Sequence, residues 1–312
     1  MVEKGIGALH PGTAQAPQFT CRICGHRGAS AKPIATPEMS RCAGCGSVQV
    51  IELPSIEELQ KYYATYNEGY TAGMGARYER EMSQRFSAKL DLMQRTTQGK
   101  SLLDVGSGEG LFLKLAAARG FSAVGCDYSP RSSYAPGVEV VQGTLDQTEG
   151  LPFADYSFDI VTLWAVIEHL RDPGAALREI RRVLKPGGYL FCDTPLCGQP
   201  AETLAAARSH WFCPPEHLHV FSTKGLKIAH QQAGFIPLRH YPSFERNVAR
   251  SLARAGRNFV AGVLAGGLLR LLNRPGWEEY RISRTTQIGD IQLLVSRVSG
   301  QSRVSGQSRV PG

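Results

Sequence analysis

Two pairs of cysteines near the N-terminus have the spacing of a zinc site. Cys21 and Cys24 form one C-x₂-C pair, and 17 residues further on Cys42 and Cys45 form a second. Four thiolates at this spacing suit tetrahedral Zn²⁺, and a closed four-sulfur site is structural rather than catalytic. About thirty residues bury too little apolar surface to fold alone, so the metal would supply the missing free energy. The pattern predicts a small zinc ribbon over residues 19–51.

A glycine-rich loop predicts a nucleotide site. The segment DVGSGEG ends an apolar, strand-like stretch and opens a helix, and its glycines allow a ligand to approach the backbone closely. Asp127 ends the next strand, where a carboxylate can accept hydrogen bonds from two ribose hydroxyls. The third glycine comes one position earlier than in the dinucleotide fingerprint, so the loop alone leaves the nucleotide open. The candidate loop residues are Asp104, Gly106, Ser107, Gly108 and Gly110.

Three histidines are candidates for general-base chemistry because an imidazole titrates near neutral pH. His169 follows the fourth strand pattern, and His217 and His219 lie in HWFCPPEHLHVFS after the fifth. In an extended segment the last two point to the same side. The alternative is that His169 orients a backbone group and the others pack their loop onto the sheet. Neither Glu168 with His169 nor Cys213 with the later histidines makes a complete ligand set, so no metal is predicted there.

Strands and helices alternate from residue 100 onward and would position these residues. SLLDVG, FSAVGCDYS, VEVVQG, FDIVTLW and YLFCDTP have strand patterns, and IGDIQLLVSR predicts a late strand. Asp172 followed by Pro173 predicts a helix start, as does Ser222. This alternation is typical of an α/β fold with a doubly wound, mostly parallel sheet, which binds ligands at the carboxyl ends of its strands.

The chain divides into a small module and a large domain. A capping box at Ser55–Glu58 and a second helical stretch at about 77–95 predict helices between the module and the large domain. The end of the chain repeats the sequence SRVSGQ, which indicates a low-complexity tail. The predicted divisions are a flexible N-terminus (1–18), the ribbon (19–51), a helical linker or cap (52–98), the large domain (99–296, with a substrate-side insertion at about 200–285) and a low-complexity tail (297–312).

Composition and charge limit the class of protein. Of the 312 residues, 42% are hydrophobic and 20% charged, which is typical of a globular domain. No apolar run is long enough to cross a bilayer and the N-terminus lacks a signal-like apolar region, so a cytoplasmic location is expected. The net charge of +8 lies mostly in the last third of the chain without a nucleic-acid reading module, so no specific nucleic acid is expected. The basic stretch 250–272 either contacts a membrane surface or, the favoured interpretation, covers the sheet or pocket.

Four segments of the large domain occur in a characteristic order: LLDVGSGEGLFL, VGCDYSP, LPFADYSFDIVTLWAVIEHLRDP and VLKPGGYLFCDTP. Together they resemble the class I S-adenosylmethionine-dependent methyltransferases over about residues 99–240. The resemblance implies a Rossmann-like sheet of seven strands whose last strand is reversed, with IQLLVSR as the candidate, and S-adenosylmethionine as cofactor.

The resemblance also implies the cofactor contacts. They are Asp104, Gly106, Ser107 and Gly108 at the methionine end and loop, Asp127 at the ribose, Tyr128, Thr144 and Leu145 at the adenine, and Leu163 and Trp164 at the sulfonium. Many relatives have an aspartate where Thr144 stands. Some ubiquinone-pathway O-methyltransferases bind a divalent metal through E-x-x-E-H, but Ala165 stands at the first of these positions.

The segment PEHLHVFS resembles the substrate-side loop of relatives, which makes His217 and His219 candidates for the acceptor pocket. Similar N-terminal cysteine modules precede methyltransferase domains in sugar and cell-surface polysaccharide pathways. The predicted function is therefore S-adenosylmethionine-dependent methylation, on oxygen or carbon, of a small molecule such as a sugar or glycan precursor. The alternatives are an NAD(P)-dependent oxidoreductase on the same sheet and a non-catalytic zinc-ribbon protein that binds nucleic acid. The sequence leaves the oligomeric state open.

Overall fold

The computed structural model describes residues 18–29, 38–63, 76–128, 137–146, 150–198, 211–241 and 291–299. Residues 1–17 of the N-terminus, most of the substrate-side insertion, the basic stretch 250–272 and the tail from residue 300 lie outside the described residues.

The N-terminal module consists of three-residue strands arranged as two hairpins. They are β1 (Gln18–Thr20), β2 (Arg27–Ala29), β3 (Met39–Arg41) and β4 (Val48–Val50). β1 pairs with β2 and β3 with β4, both antiparallel. The large domain contributes β10 (His219–Val220), which pairs antiparallel with the other edge of β4. The module is thus hydrogen-bonded into the large domain.

A seven-stranded sheet forms the centre of the large domain. Its strands are β5 (Ser101–Val105), β6 (Ser122–Asp127), β7 (Glu139–Gln142), β8 (Phe158–Trp164), β9 (Leu184–Pro195), β11 (Phe235–Tyr241) and β12 (Ile291–Val298). They lie in the order β11-β12-β9-β8-β5-β6-β7. β12 runs antiparallel to both neighbours, whereas β5 to β9 are parallel. The predicted doubly wound, mostly parallel sheet of seven strands with a reversed last strand is confirmed.

Two strands differ from the sequence patterns. β9 begins at Leu184, directly after a helix, so the KPGG segment that was expected to separate helix and strand belongs to the strand. β11 was not predicted. It is the outermost strand of the sheet and half exposed, so its sequence FIPLRHY does not need a continuous apolar run and tolerates a proline.

Helices cover both faces of the sheet. Residues 56–63 form α1, followed by α2 (Ala76–Thr96), α3 (Leu111–Ala117), a 3₁₀ turn (Ile167–His169), α4 (Pro173–Val183) and α5 (Thr223–Gln232). The predicted caps are present: Asp172 Oδ1 accepts from Ala175 N at 2.8 Å, and Ser222 Oγ accepts from Gly225 N at 2.9 Å.

Burial is strongest where the helices meet the sheet. On one face Met93 of α2 and Phe112 of α3 pack against β8, and on the other Leu177 of α4 and Leu226 of α5 fill the core. This packing leaves the carboxyl ends of β5, β6, β8 and β9 at one edge, where the candidate residues collect. Among the described residues, no helix has the length and apolar character needed to cross a membrane.

Candidate functional site

The loop between β5 and α3 is tightly turned. Gly106, Gly108 and Gly110 have φ of 74°, 54° and 79°, a region that strains a residue with a side chain. A Cβ at Gly106 would lie 2.5 Å from Val166 Cγ2, so even alanine does not fit. The Gly108 N–H donates to Asp127 Oδ2 at 2.8 Å. The carboxylate at the end of β6 therefore holds the loop, and the structure brings these predicted residues together.

Gly125 in β6 is a site residue that the sequence analysis missed. A Cβ there would lie 2.6 Å from Ser107 Oγ and 2.7 Å from Leu113 Cδ1, so only glycine lets the loop and α3 pack this closely. Ser107 Oγ is buried and has no hydrogen-bond partner within the described residues. Because buried hydroxyl groups are normally hydrogen-bonded, this oxygen is available to a polar ligand. The sequence offered one indication of Gly125, because a glycine inside a strand pattern often marks a place where another segment of the chain packs closely against the strand.

Asp104 lies buried at the carboxyl end of β5. Thr162 Oγ1 donates to its Oδ1 at 2.6 Å. Burial raises the pKa of Asp104 to about 7, although the Thr162 hydrogen bond and the positive charge of Lys89 act in the opposite direction. This carboxyl group therefore changes charge near neutral pH.

A buried ion pair lies beside Asp104. Lys89 Nζ of α2 is 2.5 Å from Asp193 Oδ2, and Asp193 Oδ1 accepts from Ala165 N at 2.7 Å. The ammonium group also lies 4.1 Å from the centre of the Trp164 ring. Asp193 lies at the end of a strand pattern, and the criterion that selected Asp127, a carboxylate at a strand end, would also have selected Asp193. Nothing in the sequence indicated that Lys89 belongs to the site, because a lysine in an amphipathic helix is usually exposed to solvent.

The other predicted cofactor residues flank this edge of the sheet. Tyr128 is exposed, and Thr144 Oγ1 accepts a hydrogen bond from the backbone of its own turn at 3.2 Å. Leu145 is buried. The indole nitrogen of Trp164 is buried without a partner in the described part of the chain. Leu163 is fully buried in the core.

His169 and His217 lie together, with ring centroids 4.9 Å apart. His169 Nδ1 is 2.7 Å from the Glu216 carbonyl and 3.2 Å from the Tyr63 hydroxyl, and His217 Nδ1 is 2.9 Å from the Trp211 carbonyl. A carbonyl only accepts, so each Nδ1 carries the proton. Burial, with His217 nearby, lowers the pKa of His169 to about 4, and the ring is neutral at pH 7.

Glu168 is fully buried beside these rings. Its Oε2 accepts from Thr194 Oγ1 at 2.9 Å, while Oε1 lacks a partner among the described residues. Burial raises the pKa of Glu168 to about 8. One ligand atom each from Glu168, His169 and His217 lie within 4.8 Å of one another, so the trio could hold a cation. From the sequence, Glu168 and His169 give only two ligands here, because His217 lies far along the chain and its proximity depends on the tertiary fold.

His219 lies apart from this pair. It belongs to β10 opposite Gln49, and both of its ring nitrogens lack partners among the described residues. Burial lowers its pKa to about 4, and the charge of Arg22 in the ribbon acts in the same direction. The structure thus places His219 at the ribbon contact, and its role at an acceptor pocket gains no support.

The four cysteines of the ribbon fit a tetrahedral metal ion. The Sγ atoms of Cys21 and Cys45 are 3.8 Å apart, those of Cys24 and Cys42 are 3.6 Å apart, and all four lie within 4.8 Å of one another. A tetrahedral ion with Zn–S bonds of about 2.3 Å requires sulfurs about 3.8 Å apart. Gly44 N donates to Cys42 Sγ at 3.3 Å, as expected for a metal knuckle.

Comparison with known proteins decides the family. Residues 78–240, more than half of the chain, match the family described as a methyltransferase domain. The chain belongs to this methyltransferase family. The matched region includes the glycine loop, Asp127 and both clustered histidines.

Curated relatives match a shorter region. A ubiquinone biosynthesis O-methyltransferase of Cereibacter sphaeroides is 35% identical over 120 residues, which is 36% of this chain and 49% of the relative. An uncharacterized methyltransferase of Mycobacterium sp. (strain KMS) is 38% identical over 104 residues, 31% of this chain and 41% of the relative. The chain spans about half the length of the curated relatives it matches.

A solved structure shares the fold of this chain. The Burkholderia thailandensis 1,6-didemethyltoxoflavin-N1-methyltransferase, with bound 1,6-didemethyltoxoflavin and S-adenosylhomocysteine, aligns with a TM-score of 0.51. The alignment covers 83% of this chain and 97% of that one at 14% identity, so it shows the fold alone.

Because all four sulfurs are spaced for one ion, freshly purified protein should contain about one zinc per chain by elemental analysis. Cys24→Ser removes one ligand and should lower the zinc content toward zero. Cys213→Ser, outside the sulfur cluster, is the matched control and should keep the full content. Freshly purified, unchelated wild-type protein without zinc would contradict the assignment.

Proposed function

We propose that the chain transfers a methyl group from S-adenosylmethionine to a small-molecule acceptor. The observation that carries this proposal is the hydrogen bond from Gly108 N to Asp127 Oδ2, which joins a positive-φ glycine loop to a strand-end carboxylate. The hydroxyl of Ser107, which has no hydrogen-bond partner in the described ranges of the chain, lies in the same loop. These groups fit the methionine and ribose ends of the cofactor.

The order of the strands disfavours the oxidoreductase alternative. The classic dinucleotide sheet has the order 3-2-1-4-5-6. Here the antiparallel β12 lies between β9 and β11. Pairing of β4 with β10 likewise disfavours a separate nucleic-acid-binding ribbon, because one edge of the ribbon sheet is already used within the chain.

The residues supply position and charge to the reaction. When bound, S-adenosylmethionine would supply a methyl group on a positively charged sulfur for in-line displacement. Asp104 is placed to pair with an ammonium group. The Lys89–Asp193 ion pair places the Lys89 ammonium group over the ring of Trp164, which would help to keep this side chain in a fixed orientation beside the sulfonium. His169 is neutral and its Nδ1–H donates to the Glu216 carbonyl, so its other nitrogen would be the one to accept a proton from an acceptor hydroxyl.

We further propose an oxygen acceptor, in a sugar or glycan precursor. The similarity to an O-methyltransferase of ubiquinone biosynthesis supports transfer to oxygen. An aliphatic hydroxyl needs a base, and His169, which is neutral at pH 7, would be that base. The N-terminal cysteine module supports a sugar by analogy with similar modules.

Asp127→Ala tests the cofactor site. The variant loses charge-assisted hydrogen bonds to the ribose, so its affinity for S-adenosylhomocysteine should fall about 100-fold by calorimetry. Asp155→Ala, which removes an exposed carboxylate paired with Arg182 before β8, should change the affinity less than about two-fold. Wild-type protein that binds NADH but not S-adenosylhomocysteine would contradict the proposal.

The charge of Asp104 should make cofactor binding depend on pH. With its pKa raised to about 7, the carboxyl group is protonated below that value and must lose a proton to pair with an ammonium. Affinity for S-adenosylhomocysteine should therefore fall roughly ten-fold from pH 8 to pH 6. Asp104→Asn should bind more weakly with a flat profile, and an equally flat wild-type profile would refute this role.

Acceptor identity can be tested with labelled S-adenosylmethionine and separate pools of nucleotide sugars and of catechols. We expect label in the sugar pool and a loss of about 100-fold in rate for His169→Gln, since a general base contributes at least that factor. His240→Gln, on the outermost strand, is the matched control. Label confined to catechols would show that the acceptor class is wrong, and full activity of His169→Gln would exclude it as the base.

A further inference from the structure

The second metal knuckle, which is the turn that carries Cys42 and Cys45, is hydrogen-bonded directly to the segment that follows the histidine cluster. Ser222 Oγ donates to the Cys45 carbonyl at 2.5 Å, and Ser222 N donates to Ser47 Oγ at 3.0 Å; both serines are buried. Lys224 Nζ adds a bond to the Gly44 carbonyl at 2.7 Å. The turn that carries two of the four sulfurs therefore fixes the start of α5.

From this knuckle a strand ladder continues toward the site. β4 and β10 align Gln49 with His219, and Val50 N donates to the Leu218 carbonyl at 2.9 Å. Met39 and Val48 pack with Leu218 and residues of the 211–222 segment in a small core of their own. The segment thus lies on the ribbon as an added strand.

The same segment makes the wall of the histidine cluster. Leu218 N donates to the Glu168 carbonyl at 2.9 Å, and the Glu216 carbonyl accepts from His169 Nδ1 at 2.7 Å. His217 follows directly in the chain. A continuous path of backbone and side-chain hydrogen bonds therefore runs from Cys45 to His169, a path that does not include the glycine loop or Asp127.

We expect the ribbon to depend on its metal to hold this position. Its strands have three residues each, its four thiols lie together, and its apolar residues are buried against the large domain rather than in a core of the ribbon alone. Segments of this size depend on metal for their free energy of folding. The Cys45 carbonyl and the Ser47 hydroxyl, which contact Ser222, belong to the cysteine turn, so a bound ion would hold them in place.

We propose that the metal-bound ribbon is a positioning element of the acceptor side, which holds residues 216–222 against Glu168 and His169 and leaves the cofactor side independent of the metal. This inference rests on the proposed function only in assigning the histidine cluster to the acceptor. The ribbon would then support one wall of the site instead of being an independent module.

The test uses the full chain before and after zinc removal by a chelator. Hydrogen–deuterium exchange of peptides covering 216–222 should become about ten-fold faster or more, while peptides of β5, β6 and β8 keep their protection. In ¹⁵N-histidine spectra, the His169 Nδ1–H signal should lose its hydrogen-bonded shift. Affinity for S-adenosylhomocysteine should change less than about three-fold.

Ser47→Ala supplies a milder variant that retains all four thiols. It should keep the zinc content of the wild type yet accelerate exchange in 216–222 by roughly five-fold or more, because the Ser222 N–H loses its acceptor. Ser157→Ala, which removes a hydroxyl bond to the Ala154 carbonyl before β8, is the matched control and should leave 216–222 unchanged.

Unchanged exchange in 216–222 after zinc removal would overturn the proposal, and so would loss of protection throughout the sheet. Failure of the zinc-loaded wild type to bind S-adenosylhomocysteine would instead overturn the proposed function, while the exchange data would still report on the coupling.

Discussion

The hydrogen bond between the Gly108 amide and the Asp127 carboxylate is the contact on which the cofactor side of the site depends. It joins the ends of two adjacent parallel strands, so the loop and the carboxylate keep one relative position. Gly125 makes this possible, because any side chain there would collide with Ser107 and Leu113. The site is therefore built by close backbone packing as much as by its polar groups.

Buried charge is the second constraint at the same edge of the sheet. Asp104, Asp193 and Glu168 all lie almost out of contact with water, and Lys89 contributes a buried ammonium among them. Burial raises the pKa of Asp104 and Glu168, so these groups hold protons more tightly than in solution. Such perturbed groups are characteristic of functional sites.

Local patterns predicted much of this molecule. The strand ends at Asp104 and Asp127, the helix cap at Asp172 and the cysteine spacing follow from neighbouring residues, because turns, caps and knuckles involve few positions. No such pattern predicted β11, because its exposed edge position removes the apolar alternation that normally reveals a strand.

The sequence by itself determined the order of elements, the glycine loop with its acidic partner and the thiol set for a metal. Only the tertiary structure decided that Lys89 meets Asp193, that His217 joins Glu168 while His219 turns to the ribbon, and that β10 extends the ribbon sheet. These contacts join residues far apart in the chain, and they depend on strand register and helix packing that no short stretch of sequence encodes.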